Sequence, residues 1–323
     1  MNDPYPLKLL PKASERLWGG DRLRHFIPSF QALKTTEPIG EAWLVYADNP
    51  IVNGEYQGQT LRQLAAVATA DLLGTRAVAR YGATVPLLAK LIDAADKLSI
   101  QVHPDDAYAL RHERATGYLG KSEAWYILEA APGAEIIWGF AQDISPEALR
   151  TAVAGGVLER YLNVIPVQAG DVIYNPPGTV HAIGAGILLF EIQQSSDLTY
   201  RLYDYQRRDA SGKLRELHLD KALAVATLKA EQRAKVTPKA LSPHITELLS
   251  TEHFVMELLT LPGLPELTTR PQSLELLSVL EGQVTIHYDG ETVILSQAEA
   301  AVLPAVLGGY RLEGTGKLIR CYL

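Results

Sequence analysis

Apolar and polar side chains alternate along Leu98–His103, with Leu98, Ile100 and Val102 on one face and Ser99, Gln101 and His103 on the other. A period of two predicts a half-buried strand, and Pro104 ends it because proline brings no backbone N–H to a ladder. The polar face carries a hydroxyl, an amide and an imidazole in a row, followed at once by Asp105 and Asp106. Further short strands are predicted at Val172–Tyr174, Val180–Ile183 and Ile187–Gln193, joined by glycine, proline and asparagine turns. Helical spacing governs other stretches. Between Thr60 and Tyr81, Leu61, Leu64, Ala65 and Val67, then Leu72 and Leu73, recur on helical faces. Helices are also expected in "DAYALRHERA" from Asp106, in "SPEALRTAVAGGVLERYLN", where Ser145 caps and Pro146 opens the first turn, and in "LHLDKALAVATL" from Leu217.

Near Ala234–Pro243, "AKVTPKALSP" brings two prolines and no sustained period, which predicts a linker. The chain after it is rich in strands. Its stretch "LEGQVTIHYDGETVILSQAEAAVLP" echoes "VQAGDVIYNPPGTVHAI" upstream, but the histidine of the earlier copy has no counterpart. These patterns predict a mainly β chain of two jelly-roll barrels with helical insertions. The expected division is 1–233 as a metal-binding domain, 234–243 as a linker and 244–323 as a second barrel without metal ligands.

Composition narrows the functional classes. The chain has 323 residues, 47% of them hydrophobic, which is enough for a sizeable core. Its 37 acidic and 30 basic residues give a formal charge of -7, and no long basic run offers phosphate-backbone contacts, which argues against nucleic acid. The longest apolar runs, such as Ala182–Phe190, are far shorter than the roughly 20 residues of a membrane-spanning helix. A single cysteine, Cys321, excludes an intrachain disulfide and suits a reducing cytoplasm.

The residues suited to chemistry cluster on strands. His181 follows a proline–glycine turn in "PPGTVHAIG", Lys121 and Glu123 share one strand face in "GKSEAWYIL", and His103 shares its face with Gln101. Barrel interiors let alternate residues of several strands converge. His103, Glu123 and His181, with Gln101 offering a fourth oxygen, form a neutral-rich set suited to zinc. Glu191 and Arg201, just beyond the His181 strand, are expected to project into the same cavity.

Taken together, "LLAKLIDAADKLSIQVHPDD", "GKSEAWYIL", "NPPGTVHAI" and "FEIQQSSDLTYRLYDY" resemble the type I mannose-6-phosphate isomerases in their short bacterial form, a family of cupin jelly rolls with a helical insertion. The likeness runs from "RLWGGDRL" at Arg16 to the carboxy-terminal barrel. It implies one zinc ion on Gln101, His103, Glu123 and His181, an active-site arginine at Arg201, and an acid at Glu191. It also implies a phosphate-holding serine at Ser99, with Arg207 or Arg208 at the position of the phosphate-side lysine of longer relatives. Ala42 and Leu44 stand where many members carry a serine and an acid.

The implied reaction interconverts mannose 6-phosphate and fructose 6-phosphate through an enediol. Glu191 is the favoured base and Lys121 its competitor, while Arg201 stabilises the developing anion. The expected partner is a small sugar phosphate, with the chain as a monomer or homodimer. Two alternatives share the same residues: an iron(II) cupin dioxygenase using two histidines and a glutamate, and a sugar-phosphate binder without turnover.

Overall fold

The computed structural model describes residues 1, 3–208, 212–230 and 233–323. The fold is mainly β, and among the described residues the strands form three open sheets and no closed barrel. A seven-stranded antiparallel sheet runs in the order Lys235–Val236, Val172–Asn175, Glu123–Ala130, Ile187–Gln194, Leu87–Ala94, Lys12–Gly20, Ile39–Val45. A five-stranded sheet runs Tyr200–Tyr203, Ile100–Val102, His181–Ile183, Glu135–Phe140, Leu162–Pro166. Side-chain packing, not a continuous ladder, joins the two. Trp125, Ile127 and Leu189 of the first sheet meet Ile136, Trp138 and Ile183 of the second in one buried cluster. Such face-to-face packing buries an apolar layer and leaves each ladder with free edges.

The third sheet has nine strands, led by Glu275–Tyr288 and Gly309–Tyr322, which pair along nearly their whole length. It also recruits Leu7–Leu9 from the amino terminus, which pairs with Ala300–Leu303. The segment expected as a linker is partly ordered as strand. Lys235–Val236 adds to the seven-stranded sheet and Lys239–Ser242 to the nine-stranded one, so the chain crosses between sheets there. A hydrophobic core then continues from Leu91 and Phe190 through Leu61 and Leu64 to Phe254 and Leu276.

The stretch from Thr60 to Tyr81 is helical but in three short pieces, Leu61–Val67, Thr69–Leu73 and Thr75–Tyr81. Thr60 and Gln63 form a reciprocal capping box at the start. The break at Gly74 comes from docking. Thr75 and Arg76 donate to the Pro271 and Gln272 carbonyls, and Leu274 N donates to Leu73, so backbone of the third sheet replaces partners within a continuous helix. Gly74 sits at φ +87, and a Cβ there would lie 2.4 Å from the Gln272 carbonyl carbon. Val67, expected on the apolar face, is 79% exposed. Elsewhere Ser145 caps Pro146–Ala154 as predicted, accepting from Ala148 N at 3.1 Å.

Between the strands of the third sheet lies a buried ionic network. Arg320 contacts Glu257 at 2.6 Å, Tyr322 donates to Glu257 at 3.0 Å, and Tyr310 donates to Glu275 at 2.7 Å. Removing one partner leaves uncompensated charge in the interior, which costs about 3–5 kcal/mol. Arg320→Ala is therefore expected to lower unfolding stability by an amount in that range, read as a lower urea midpoint in circular dichroism. A midpoint shift equivalent to less than about 1 kcal/mol would show the network to be dispensable.

Candidate active site and metal centre

The stacked sheets each turn a polar row toward the space between them. On the five-stranded sheet Gln101 lies opposite His181 on one side and Arg201 on the other. Directly opposed residues of antiparallel strands share a face, so amide, imidazole and guanidinium stand in line. On the seven-stranded sheet Glu191 lies opposite Trp125 and Lys90, and Lys90 opposite Trp43. Glu123, two residues before Trp125, is on the same face. A cavity of about 390 Å³ opens between the rows, with Gln101, Lys121, Glu191 and Arg201 in its wall.

Behind Gln101 and Lys121, His103, Glu123 and His181 are buried, with ligand atoms within 4.8 Å of one another. His103 Nδ1 lies 2.8 Å from the Leu198 carbonyl and His181 Nδ1 2.8 Å from that of Thr179. A carbonyl only accepts, so each Nδ1 carries the hydrogen and each Nε2 presents a lone pair. Those lone pairs face Glu123, at 3.1 Å from His181 to Oε1 and 3.4 Å from His103 to Oε2. Acceptor against acceptor is repulsive unless positive charge lies between. Two neutral imidazoles and a carboxylate fit a divalent metal, and the Gln101 amide, 3.5 Å from His181 Nε2, can turn its oxygen to the same point.

Lys121 is the cation that the chain itself brings, 2.7 Å from Glu123 Oε2 and 3.3 Å from His103 Nε2. Its contact with Oε2 is an ion pair without hydrogen-bond direction, since that oxygen accepts no hydrogen bond. Burial, reinforced by Lys121, pushes His103 down to about 3. Burial works to raise Glu123, but Lys121 and the two histidines outweigh it and hold the carboxyl well below its ordinary range. Both shifts favour the protonation states that ligate metal.

The two carboxylates after Pro104 have separate duties. Asp105 caps the helix Asp106–His112, accepting from Tyr108 N at 2.7 Å. Asp106 reaches the strand bearing Lys121. Its Oδ1 accepts from Gly120 N at 3.0 Å and Gln194 Nε2 at 2.9 Å, while Gln194 Oε1 accepts from Ser122 N at 2.9 Å. Lys121 N itself donates to the Pro104 carbonyl at 3.0 Å. Three successive N–H groups are thus held before the ladder begins at Glu123. The approach is close: a Cβ on Gly120 would lie 2.4 Å from the Asp105 carbonyl carbon.

Other expected residues divide. Ser99 and Arg201 line the cavity together, with Arg201 Nε donating to Ser99 Oγ at 3.2 Å. Arg207 and Arg208 do not line it. Arg207 is engaged by Asp204 and by the Lys97 carbonyl at 2.5 Å, and Arg208 turns to the Gly212 carbonyl at 2.8 Å. The cavity wall instead includes Arg215, together with Lys90, Glu41 and Arg16, none of which sequence reasoning singled out. Lys90 binds Glu191 at 3.0 Å and Gln193 at 2.8 Å, and Arg16 grips Glu41 through two nitrogens at 3.0 and 3.2 Å. Burial works against the charge of Lys90, but Glu191 and Glu41 outweigh it and raise its pKa. A lysine inside the otherwise apolar run "LLAKLI" is a visible signal, because lysine is almost never buried without a partner.

The chain is similar to known proteins along nearly its whole length. Residues 7–123 match the model described as phosphomannose isomerase type I, catalytic domain, and residues 244–323 that of the mannose-6-phosphate isomerase cupin domain. A mannose-6-phosphate isomerase of Streptococcus mutans is 39% identical over 325 residues, covering 97% of each chain. The chain belongs to the type I phosphomannose isomerase family. Another curated member, the mannose-6-phosphate isomerase ManA of Bacillus subtilis, is also 39% identical, over 98% of this chain and 99% of that one. The crystal structure of a Bacillus subtilis mannose 6-phosphate isomerase superposes with a TM-score of 0.86 at 34% identity, covering 98% and 99% of the two chains. Type I phosphomannose isomerases are metal-dependent, and the His103–Glu123–His181 group is where this member can hold its ion.

If the acceptor cluster binds a divalent ion, adding metal to chelator-treated protein is expected to raise its melting temperature. Glu123→Gln is expected to abolish that rise, and scanning calorimetry with and without metal checks it. Asp106→Ala is expected to reduce turnover roughly tenfold with KM little changed, the loss of one or two hydrogen bonds displacing the Lys121 segment. Steady-state kinetics on folded variant would show the reverse pattern, raised KM at constant kcat, if Asp106 served only substrate access.

Proposed function

We propose that the chain interconverts mannose 6-phosphate and fructose 6-phosphate, using one zinc ion on Gln101, His103, Glu123 and His181. The observation that carries this reading is a buried, neutral-rich donor group in direct contact with Gln101 and Lys121, which line one cavity with Glu191 and Arg201. Zinc, when bound, supplies Lewis acidity toward the sugar oxygens.

Glu191 takes the proton from C2 of the open-chain aldose and returns it to C1. Its two oxygens accept one hydrogen bond each, from Lys90 at 3.0 Å and Trp125 at 2.9 Å, which leaves a lone pair on each for the proton. As the C2–H pair becomes the C1–C2 bond, the carbonyl pair moves to O1, and negative charge collects there. Lys121, ion-paired with Glu123, donates a proton to that oxygen; when the C1–C2 π pair takes the proton back from Glu191 at C1, the O2–H pair forms the C2 carbonyl and the O2 proton returns to Lys121. Arg201 adds a permanent charge, although burial and the neighbouring Arg215 lower its pKa from the ordinary arginine value. Ser99 hydrogen-bonds the phosphate, whose binding energy fixes the position of the reacting carbons.

The same reading assigns catalysis to residues 1–233 and a supporting role to 244–323, joined through 234–243, since the residues of the cavity wall all precede 234. Among the described residues no helix is long and apolar enough to cross a membrane, and a lone buried thiol at Cys321 supports a reducing cytoplasmic setting. An iron(II) dioxygenase on the same triad has no use for Lys121, Ser99 or Arg201, and a binder without turnover has none for a paired base and donor.

Purified protein is expected to convert mannose 6-phosphate to fructose 6-phosphate, to lose activity on chelation, and to regain it with zinc. Arg201→Ala is expected to lower kcat/KM by roughly 10²–10³-fold, the range for removing one preorganised charge stabiliser. A coupled assay with metal analysis decides the matter: iron in place of zinc together with oxygen uptake would favour the dioxygenase, and folded zinc protein without turnover would favour the binder.

A further inference from the structure

Most charges in the cavity wall cancel in pairs. Arg16 meets Glu41 at 3.0 Å, Lys90 meets Glu191 at 3.0 Å, and Lys121 meets Glu123 at 2.7 Å. At the Ser99 end this pairing stops. Arg201 makes no ion pair among the described residues; its guanidinium donates to Ser99 Oγ and, at 2.9 Å, to the Glu216 carbonyl. Among the described residues Arg215 has only Asp204 as an ion-pair partner, 3.5 Å away, and Arg207 already neutralises that carboxylate. Two positive charges therefore remain in the wall, opposed by Asp197, which is exposed and screened by solvent. A phosphate monoester carries about -1.5 to -2 near pH 7 and takes guanidinium forks in bidentate fashion.

The position of Arg215 is built. Asp204 is buried at 4% exposure; Arg207 holds its Oδ1, while Oδ2 accepts no hydrogen bond and lies toward Arg215. The corner that turns Asp204 inward is strained, with Tyr205 and Gln206 both left-handed at φ 55 and 56. Left-handed backbone is unfavourable for any residue with a Cβ. Packing holds the corner: the Tyr205 ring lies edge-on to Tyr203 and carries the Lys97 ammonium 3.6 Å from its centroid.

We propose that Arg215 is the residue that makes this site select a phosphorylated sugar, with Asp204 as its positioning residue, and that Arg207 and Arg208 do not touch the phosphate. This deepens the isomerase reading and rests on it. Arg215 and Ser99 grip the phosphate, and Arg201 stands between them and the reacting carbons. Arg215→Ala then reduces the ratio of kcat/KM for mannose 6-phosphate to that for mannose by roughly 10–100-fold, the loss of a charged hydrogen-bonding group, chiefly through KM. Arg215→Lys restores part of the preference, because a point charge replaces the fork. Asp204→Asn shifts the ratio in the same direction with Arg215 intact, a change that loss of packing alone would not make selective for the phosphorylated sugar.

The experiment measures both sugars with wild type and the three variants, and inorganic phosphate binding by calorimetry alongside. A ratio within twofold of wild type in Arg215→Ala overturns the proposal, as does an equal loss on both sugars. If the wild type turns over neither sugar, the isomerase reading fails on its own. Phosphate affinity then judges Arg215 separately: unchanged binding in Arg215→Ala overturns its assignment, and a tenfold or greater loss supports it.

Discussion

The site is organised around a repulsion. Two imidazole lone pairs and a carboxylate are brought to about van der Waals distance, at 3.1 and 3.4 Å, in a place with almost no water access. The fold prevents any of them from turning away. The Leu198 and Thr179 carbonyls fix the two Nδ1–H groups, and Trp125 lies edge-on to the His181 ring. Such a group is stable only with positive charge among its members, and burial makes the requirement stricter because unpaired charge and unmet polarity both cost more in low dielectric. Lys121 meets part of that need, and a divalent ion meets the rest.

The surrounding wall follows from the same constraint. Once a charged group is buried, its own partner must be buried too, and the requirement spreads along the sheet. Glu123 faces Lys121, Glu191 faces Lys90, and Lys90 stands over the Trp43 ring at 5.4 Å. Glu41 accepts from both Trp43 and Arg16, and burial that would raise it is outweighed by Lys90 and Arg16, which lower it. The alternation of sign along these strands fixes every side chain of the row, which is the preorganisation that proton transfer between adjacent carbons demands. Where the alternation stops, at Ser99, Arg201 and Arg215, the wall is free to receive an anion.

The sequence disclosed much of this because chemistry and geometry share a short period there. Ser99, Gln101 and His103 alternate with apolar residues, so their common face could be read directly, and "GKSEAW" placed Lys121 and Glu123 together in the same way. The three-dimensional arrangement of sheets was less legible. Barrel closure was expected from strand spacing, but whether a ladder closes depends on edge pairing, which no local pattern encodes. The stretch over 60–81 is helical as its spacing predicts, but its break at Gly74 arises from contacts with Pro271, Gln272 and Leu274 some two hundred residues away. Arg215 escaped notice for a related reason. It lies in a polar stretch without period, and only the turn at Asp204 brings it to the cavity.

That long-range character also gives the third sheet a part in the site without lending it a single wall residue. Arg80, on the helix Thr75–Tyr81, contacts Asp106 Oδ2 at 3.0 Å and, from the other side, the Glu252 carbonyl at 3.1 Å and His253 at 3.0 Å. Asp106 in turn holds Gly120 N and Gln194, which hold the segment of Lys121. A continuous run of hydrogen bonds therefore leads from the loop before Val255–Leu261 to the ammonium beside Glu123. Each link is partly exposed and individually weak, but all act on one short backbone segment whose freedom is already limited by Gly120 packing on Asp105. The third sheet thus contributes position in place of chemistry to a site whose cavity it does not line.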